Sequence, residues 1–179
     1  RTSPKSIGHS VTCPHDLTSA EEIHRVLLAL SEEVSRKLRR EHLYAFGICL
    51  VLKDNSLSSV ERQCRLQEPA RGVREMVQAA DRLLFQTCRF ARPIRMVGIR
   101  AGALVREEEY AQTSLYLDAQ LREKEERIDR KIDMLRERFG NQVIQRASLG
   151  PLPYVRKDPC WALSTNNRKE LRLYKILQS

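Results

Sequence analysis

The chain has 179 residues, of which 41% are hydrophobic and 31% charged, and its formal net charge is +9. That length suits one domain of ordinary size plus an appendage. Its longest apolar runs, such as "ICLVL" at 48–52, are far too short to cross a bilayer, so no membrane partner is expected. The five cysteines (Cys13, Cys49, Cys64, Cys88, Cys160) are odd in number and contain no CxxC pair, which argues against a zinc site or a disulfide framework and suits a reducing cytoplasm.

The charge is uneven. Residues 1–105 hold 17 Lys/Arg against 11 Asp/Glu, residues 106–140 hold 8 against 10, and residues 141–179 hold 7 against 2. An Arg-rich body suits a polyanionic partner such as nucleic acid, although a well-solvated surface would have the same composition. The opening "RTSPKS" has neither an initiator Met nor a signal-peptide core, and reads as part of a longer chain.

In chain order, Ser6–Cys13 alternates as a strand does. A turn follows, then a helix start at which Thr18 or Ser19 can cap and Glu21 and Glu22 favour the dipole. Ile23, Val26, Leu27, Leu30, Val34 and Leu38 fall on one helical stripe. Leu43–Asp54 is rich in aromatic and β-branched residues, and "LSSVERQCRLQE" alternates Val60, Arg62, Cys64 and Leu66 against Ser59, Glu61, Gln63 and Arg65. Together they predict a hairpin. A second amphipathic helix spans about 71–88, with Val73, Met76, Val77, Ala80, Leu83 and Leu84 inward, and "RPIRMVGIRAGAL" follows as a fourth strand.

The order β-α-β-β-α-β predicts an α+β fold: a four-stranded, mainly antiparallel sheet with two helices on one face, followed by a C-terminal helical appendage. The opposite face is then open, with Arg62, Arg65, Arg95 and Arg100 available to line it. A broad basic face suits a phosphate backbone better than a small enclosed substrate. Beyond it, "LVREEEYAQTSLYLDAQ" reads as a connector. Leu121–Phe139 reads as a charged helix with Ile128, Ile132, Leu135 and Phe139 on a narrow stripe, ended by Gly140. The division predicted is 1–105 for the domain, 106–118 for the connector, 119–149 for the helix and its short extension, and 150–179 for a basic tail with three prolines and room for one short helix.

Catalytic signatures are missing. There is no GxGxxG or Walker-type loop, and His9, His15, His24 and His42 have no partner at metal-ligand spacing. Asp129 and Asp133 alternate with Lys and Arg, which predicts solvated salt bridges. The predicted strands offer few carboxylates, Asp54 and Glu61 among them, too few for two-metal phosphoryl transfer. The fragment is expected not to be an enzyme and to carry no metal or cofactor.

"KSIGHSVT", the βαββαβ order, "PIRMVGIRAGAL" and "IDMLRERFGNQVIQRASL" resemble, in order over residues 4–149, the C-terminal part of Y-family translesion DNA polymerases of the bacterial UmuC/DinB-like group. The resemblance implies the little finger (polymerase-associated) domain, a non-catalytic DNA-binding unit whose partner is primer-template or damaged DNA. It places the palm, with its carboxylates and Mg²⁺, N-terminal to this segment. It also implies a monomeric protein of the cytoplasm, engaged in DNA repair. By resemblance, Lys5, Ser6, Ile7 and Gly8 put backbone amides and small hydroxyls on phosphates, with Ser10 and Thr12 following. Arg62 carries over on the third strand, beside Gln63 and Arg65, whereas Glu61 departs from the family's Ser-Arg-Ser. The family's "IRxxGVR" stands as Ile94–Arg100, making Arg95 and Arg100 phosphate contacts if a bulge at Gly98 brings them to one face.

In "QTSLYLD" (112–118), Gln112, Ser114, Leu115, Tyr116 and Leu117 resemble the Gln-x-x-Leu-aromatic/Leu peptides received by bacterial sliding clamps. Such a peptide inserts two or three apolar anchors into a pocket, with about micromolar affinity, roughly −8 kcal/mol. On local pattern alone, Leu115 and Leu117 could instead pack the connector beneath the third helix. For the whole chain the alternative function is a free-standing nucleic-acid or protein-interaction module lacking a polymerase core.

Overall fold

The computed structural model describes residues 4–87, 92–111, 119–140, 143, 144 and 146. Strand β1 (Ser6–Leu17) alternates exposed Ser6, Gly8, Ser10 and Thr12 with the half-buried Ile7, His9 and Val11. Helix α1 (Ala20–Arg40) begins at Ser19, one of the two caps open to the sequence. The Glu22 amide donates to Ser19 Oγ at 3.2 Å, and the Ser19 and Thr18 amides donate to Glu22 Oε2 at 3.2 and 2.8 Å. Two orphan donors of the first turn are thereby satisfied. The six apolar residues of the expected stripe are all buried.

Strands β2 (Leu43–Asp54) and β3 (Ser59–Ala70) form the expected hairpin. Asp54 organises its turn, accepting from the Ser56 and Ser58 amides and the Ser56 hydroxyl. Helix α2 (Val73–Thr87) follows, then β4 (Ile94–Arg106). The sheet order is β1-β4-β2-β3, and every neighbouring pair is antiparallel. Each βαβ unit, β1-α1-β2 and β3-α2-β4, straddles one antiparallel strand, so both helices land on the same face. There Ile48, Leu50, Leu52, Val97, Ile99 and Ala101 meet the apolar stripes of α1 and α2 in one core. The α+β architecture expected from the sequence is the one observed.

Three local expectations differ from it. Strand β1 runs past Cys13 to Leu17, through Pro14. It is an edge strand, its ladder is interrupted between Thr12 and Leu17, and a missing N–H costs little there. Gly98 makes no bulge: register is continuous through it, and the irregularity of β4 falls where Met96 pairs with Lys53 but Ile94 with Asp54, leaving Arg95 as the extra residue. Within the presumed connector, Glu107–Ala111 forms a short helix, α3.

Helix α4 (Ala119–Phe139) ends at Gly140, which adopts φ +93° and donates its N–H to the Arg136 carbonyl at 2.9 Å. None of its described side chains belongs to the apolar core, and Ile128, Leu135 and Phe139 of its stripe stay exposed. Charge holds it instead. Asp129 and Asp133, expected as solvated intrahelical partners, both grip Arg39 of α1, at 3.3 and 2.7 Å, in a largely buried cluster. Glu32 extends the cluster to Arg136 and Arg146, which also reaches Asp129. The i, i+4 pattern was real, but tertiary arginines outcompeted the neighbouring Lys and Arg.

A second junction centres on Arg71, which is only 2% exposed. Its guanidinium binds Glu107 of α3 at 2.9 Å and Glu126 of α4, and lies 4.1 Å over the Tyr44 ring, which in turn meets Tyr110 at 4.8 Å. Hydrogen bonds from Arg71 first, then from His42, hold the Glu107 carboxyl far below its usual value, at about 2, against its partial burial. Burial pushes the Tyr44 hydroxyl up to about 12.

Candidate nucleic-acid interface

In a sheet, residues directly paired across strands project to the same side. The registers therefore define four rungs on the face away from the helices: Ser6–Gly102–Gly47–Arg65, Gly8–Arg100–Cys49–Gln63, Ser10–Gly98–Val51–Glu61 and Thr12–Met96–Lys53–Ser59. Towards β1 the floor is made of glycine and small hydroxyls. A Cβ added at Gly98 would sit 3.0 Å from Ser10 Cβ, and one at Gly8 would sit 3.2 Å from the Ile99 carbonyl and Arg100 Cβ. This close strand packing keeps the surface low, so a polymer backbone can approach the main chain. β1 has a partner on one side only, so every second N–H of Ser6–Thr12 points away from the sheet.

Basic side chains flank this floor. Arg65 and Lys53 have no ion-pair partner among the described residues, whereas Arg100 is paired with Glu61. Cys49 lies between the last two: its thiol donates to Glu61 Oε1 at 3.0 Å, and Arg100 Nη2 approaches the sulfur at 3.6 Å. Burial, with Glu61 next, raises that thiol to about 11 and keeps it protonated.

Set against the expected site, Ser6, Gly8, Ser10, Thr12, Gln63, Arg65 and Arg100 share the open face. Ile7 turns its side chain to the core and offers only backbone, and Lys5 immediately precedes the strand. Arg62 does not line the open face: it pairs with Leu50, a core residue, and donates to the Glu61 carbonyl at 3.2 Å on the helix side. The grouping of Arg62 with the apolar Cys64 and Leu66 already carried that signal. Arg95, in the β4 irregularity, is bound to Asp16 at 3.2 Å, five residues from Arg100 and so roughly 16 Å along the strand. Lys53, Gly47 and Gly102 were missed. Only the register, which a single strand does not reveal, puts them on the face. Gln112, Ser114, Leu115, Tyr116 and Leu117 lie outside the described residues. Among the described residues no group of His, Cys, Asp or Glu is placed to hold a metal ion, and no helix is long and apolar enough to cross a membrane.

A helix-backed antiparallel sheet with an open, small-residue, basic face defines a class of domain suited to an extended polyanion. Sequence comparison narrows the class. Residues 4–115 match the impB/mucB/samB family C-terminal domain, and the chain belongs to that family, as the little finger of Y-family polymerases. It is 34% identical over 145 residues to DNA polymerase IV of Acetivibrio thermocellus, covering 81% of this chain and 36% of that protein. It is also 32% identical over 154 residues to DNA polymerase IV of Pelotomaculum thermopropionicum, covering 86% of this chain and 37% of that one. The chain thus spans little more than a third of the length of these relatives. Among solved structures, the insertion ternary complex of Dbh DNA polymerase shares the fold at a TM-score of 0.51 and 14% identity, over 56% of this chain and 29% of that one.

Proposed function

We propose that this domain grips primer-template DNA through the open face of its sheet, as a non-catalytic part of an error-prone translesion polymerase, and docks to a sliding clamp through Gln112–Leu117. The observation that carries the DNA reading is the joining of three features on one surface. These are an edge strand with outward amides, a glycine-serine floor that admits a backbone, and Arg65, Arg100 and Lys53 beside it. Amides and arginines contact phosphate without reading base edges, so binding follows the backbone and not the sequence. The relatives' polymerase activity supports a parent chain whose catalytic carboxylates and Mg²⁺ belong to a palm domain outside these residues. The clamp reading rests on the peptide pattern and on family membership.

Duplex and primer-template DNA should therefore bind without sequence preference, and affinity should fall steeply with salt as counterions are released. Changing Arg65 and Lys53 together to alanine should flatten the plot of log affinity against log salt by about two units. Fluorescence anisotropy across a salt series measures this. A double variant that binds like the parent at every salt would show that DNA uses another surface.

A further inference from the structure

The departure at Glu61 has a structural counterpart. On the open face Glu61 and Arg100 are ion-paired, with side chains 52% and 46% exposed, so both remain accessible to a ligand. They stand one rung apart on β3 and β4, bridged by Cys49 of the strand between them. The thiol's hydrogen bond to Glu61 and its contact with Arg100 link the two charged groups across β2. Arg65, two residues beyond Gln63 on β3, has no such partner among the described residues.

We propose that Glu61 sets the strength of phosphate binding on this face by occupying Arg100, so that a DNA phosphate must displace a carboxylate to reach it. The inference rests on the DNA-gripping reading above and gives Glu61 the part of an affinity-setting residue. Phosphate and carboxylate both suit the planar guanidinium fork, and they compete for the same donors. While Glu61 stays paired, Arg100 brings no net charge to the interface. Binding then draws on Arg65, Lys53 and the β1 amides, and the count of neutralised phosphates is lower by about one. A non-catalytic grip weakened in this way releases DNA more readily, which suits a domain that must let the primer-template advance.

The test compares the parent with Glu61→Gln, Arg100→Ala and the double variant on one 20-base-pair duplex over a salt series, with melting curves to confirm folding. Glutamine keeps the shape and an oxygen for the Cys49 thiol. Glu61→Gln should tighten binding about three- to tenfold at low salt and steepen the log–log slope by about one. In the Arg100→Ala background, where Glu61 is an unpaired carboxylate, the same change should bring a clearly smaller gain, from relieved repulsion alone. A gain of equal size in both backgrounds would show that Glu61 acts only by repelling DNA, and would overturn the inference while leaving the face intact. No gain in either background, with Arg100→Ala still weakening binding, would also overturn it. If neither Arg100→Ala nor Arg65→Ala alters binding, the DNA-face reading itself fails, an outcome distinct from the other two.

Discussion

Replacing Arg71 by alanine is expected to cost about 3–5 kcal/mol of folding stability, the penalty of breaking a buried ion pair by removing one member. No other described side chain joins as many elements: Arg71 stands between β3 and α2, carries Tyr44 of β2 against its guanidinium plane, and binds Glu107 of α3 and Glu126 of α4. Its loss leaves two carboxylates facing a half-empty pocket, with Arg130 and His42 nearby to compensate in part. For a domain of about this size the melting temperature should fall by roughly 10 °C or more. The pH dependence supplies a second signature. Glu107 has a folded-state value of about 2, below its usual 4.5, so its stabilising contribution is present above about pH 4.5 and is lost as pH falls towards 2. Glu107→Gln should reduce that acid-induced loss. An Arg71→Ala protein that melts like the parent would mean that the junction is solvated and adds little.

The second large effect concerns the segment between α3 and α4. Changing Leu115 and Tyr116 to alanine is expected to weaken binding to a bacterial sliding clamp by about 1–3 kcal/mol for each anchor removed. Clamp affinity by surface plasmon resonance and melting temperature should be read on the same double variant. A clamp ligand predicts lost binding with an almost unchanged melting temperature. Packing of Leu115 and Leu117 beneath α4 predicts the reverse, a lower melting temperature with clamp binding intact, and that result would sink the clamp reading. DNA affinity should stay constant in both cases.

How far the sequence alone reached depended on the range of the interaction. The α1 stripe from Ile23 to Leu38 and the inward residues of α2 were legible because a helix repeats its buried face every three or four residues, and such a pattern survives in one dimension. The alternation of β3 was equally plain, and its apolar members Cys64 and Leu66 marked the buried side, yet Arg62, in the same alternating set, was grouped with Arg65 and Arg100 by charge. The ion clusters that anchor α4 left no local trace. Arg39 and Asp129 are 90 residues apart, and nothing near either predicts the other. Lys53 and Gly102 joined the site only through the β2–β4 register.

The central claim is that the open face of the sheet, led by β1, is the surface that holds DNA. Titrating the isotopically labelled domain with a primer-template duplex and following its backbone amides by NMR tests this claim most directly. The account predicts the largest perturbations at Ser6, Gly8, Ser10 and Thr12 of β1 and at Gly98, Arg100 and Gly102 of β4, with α1 and α2 little changed. Perturbations confined to the helices, or centred on Arg62 on the helix side while the four rungs stay silent, would contradict it.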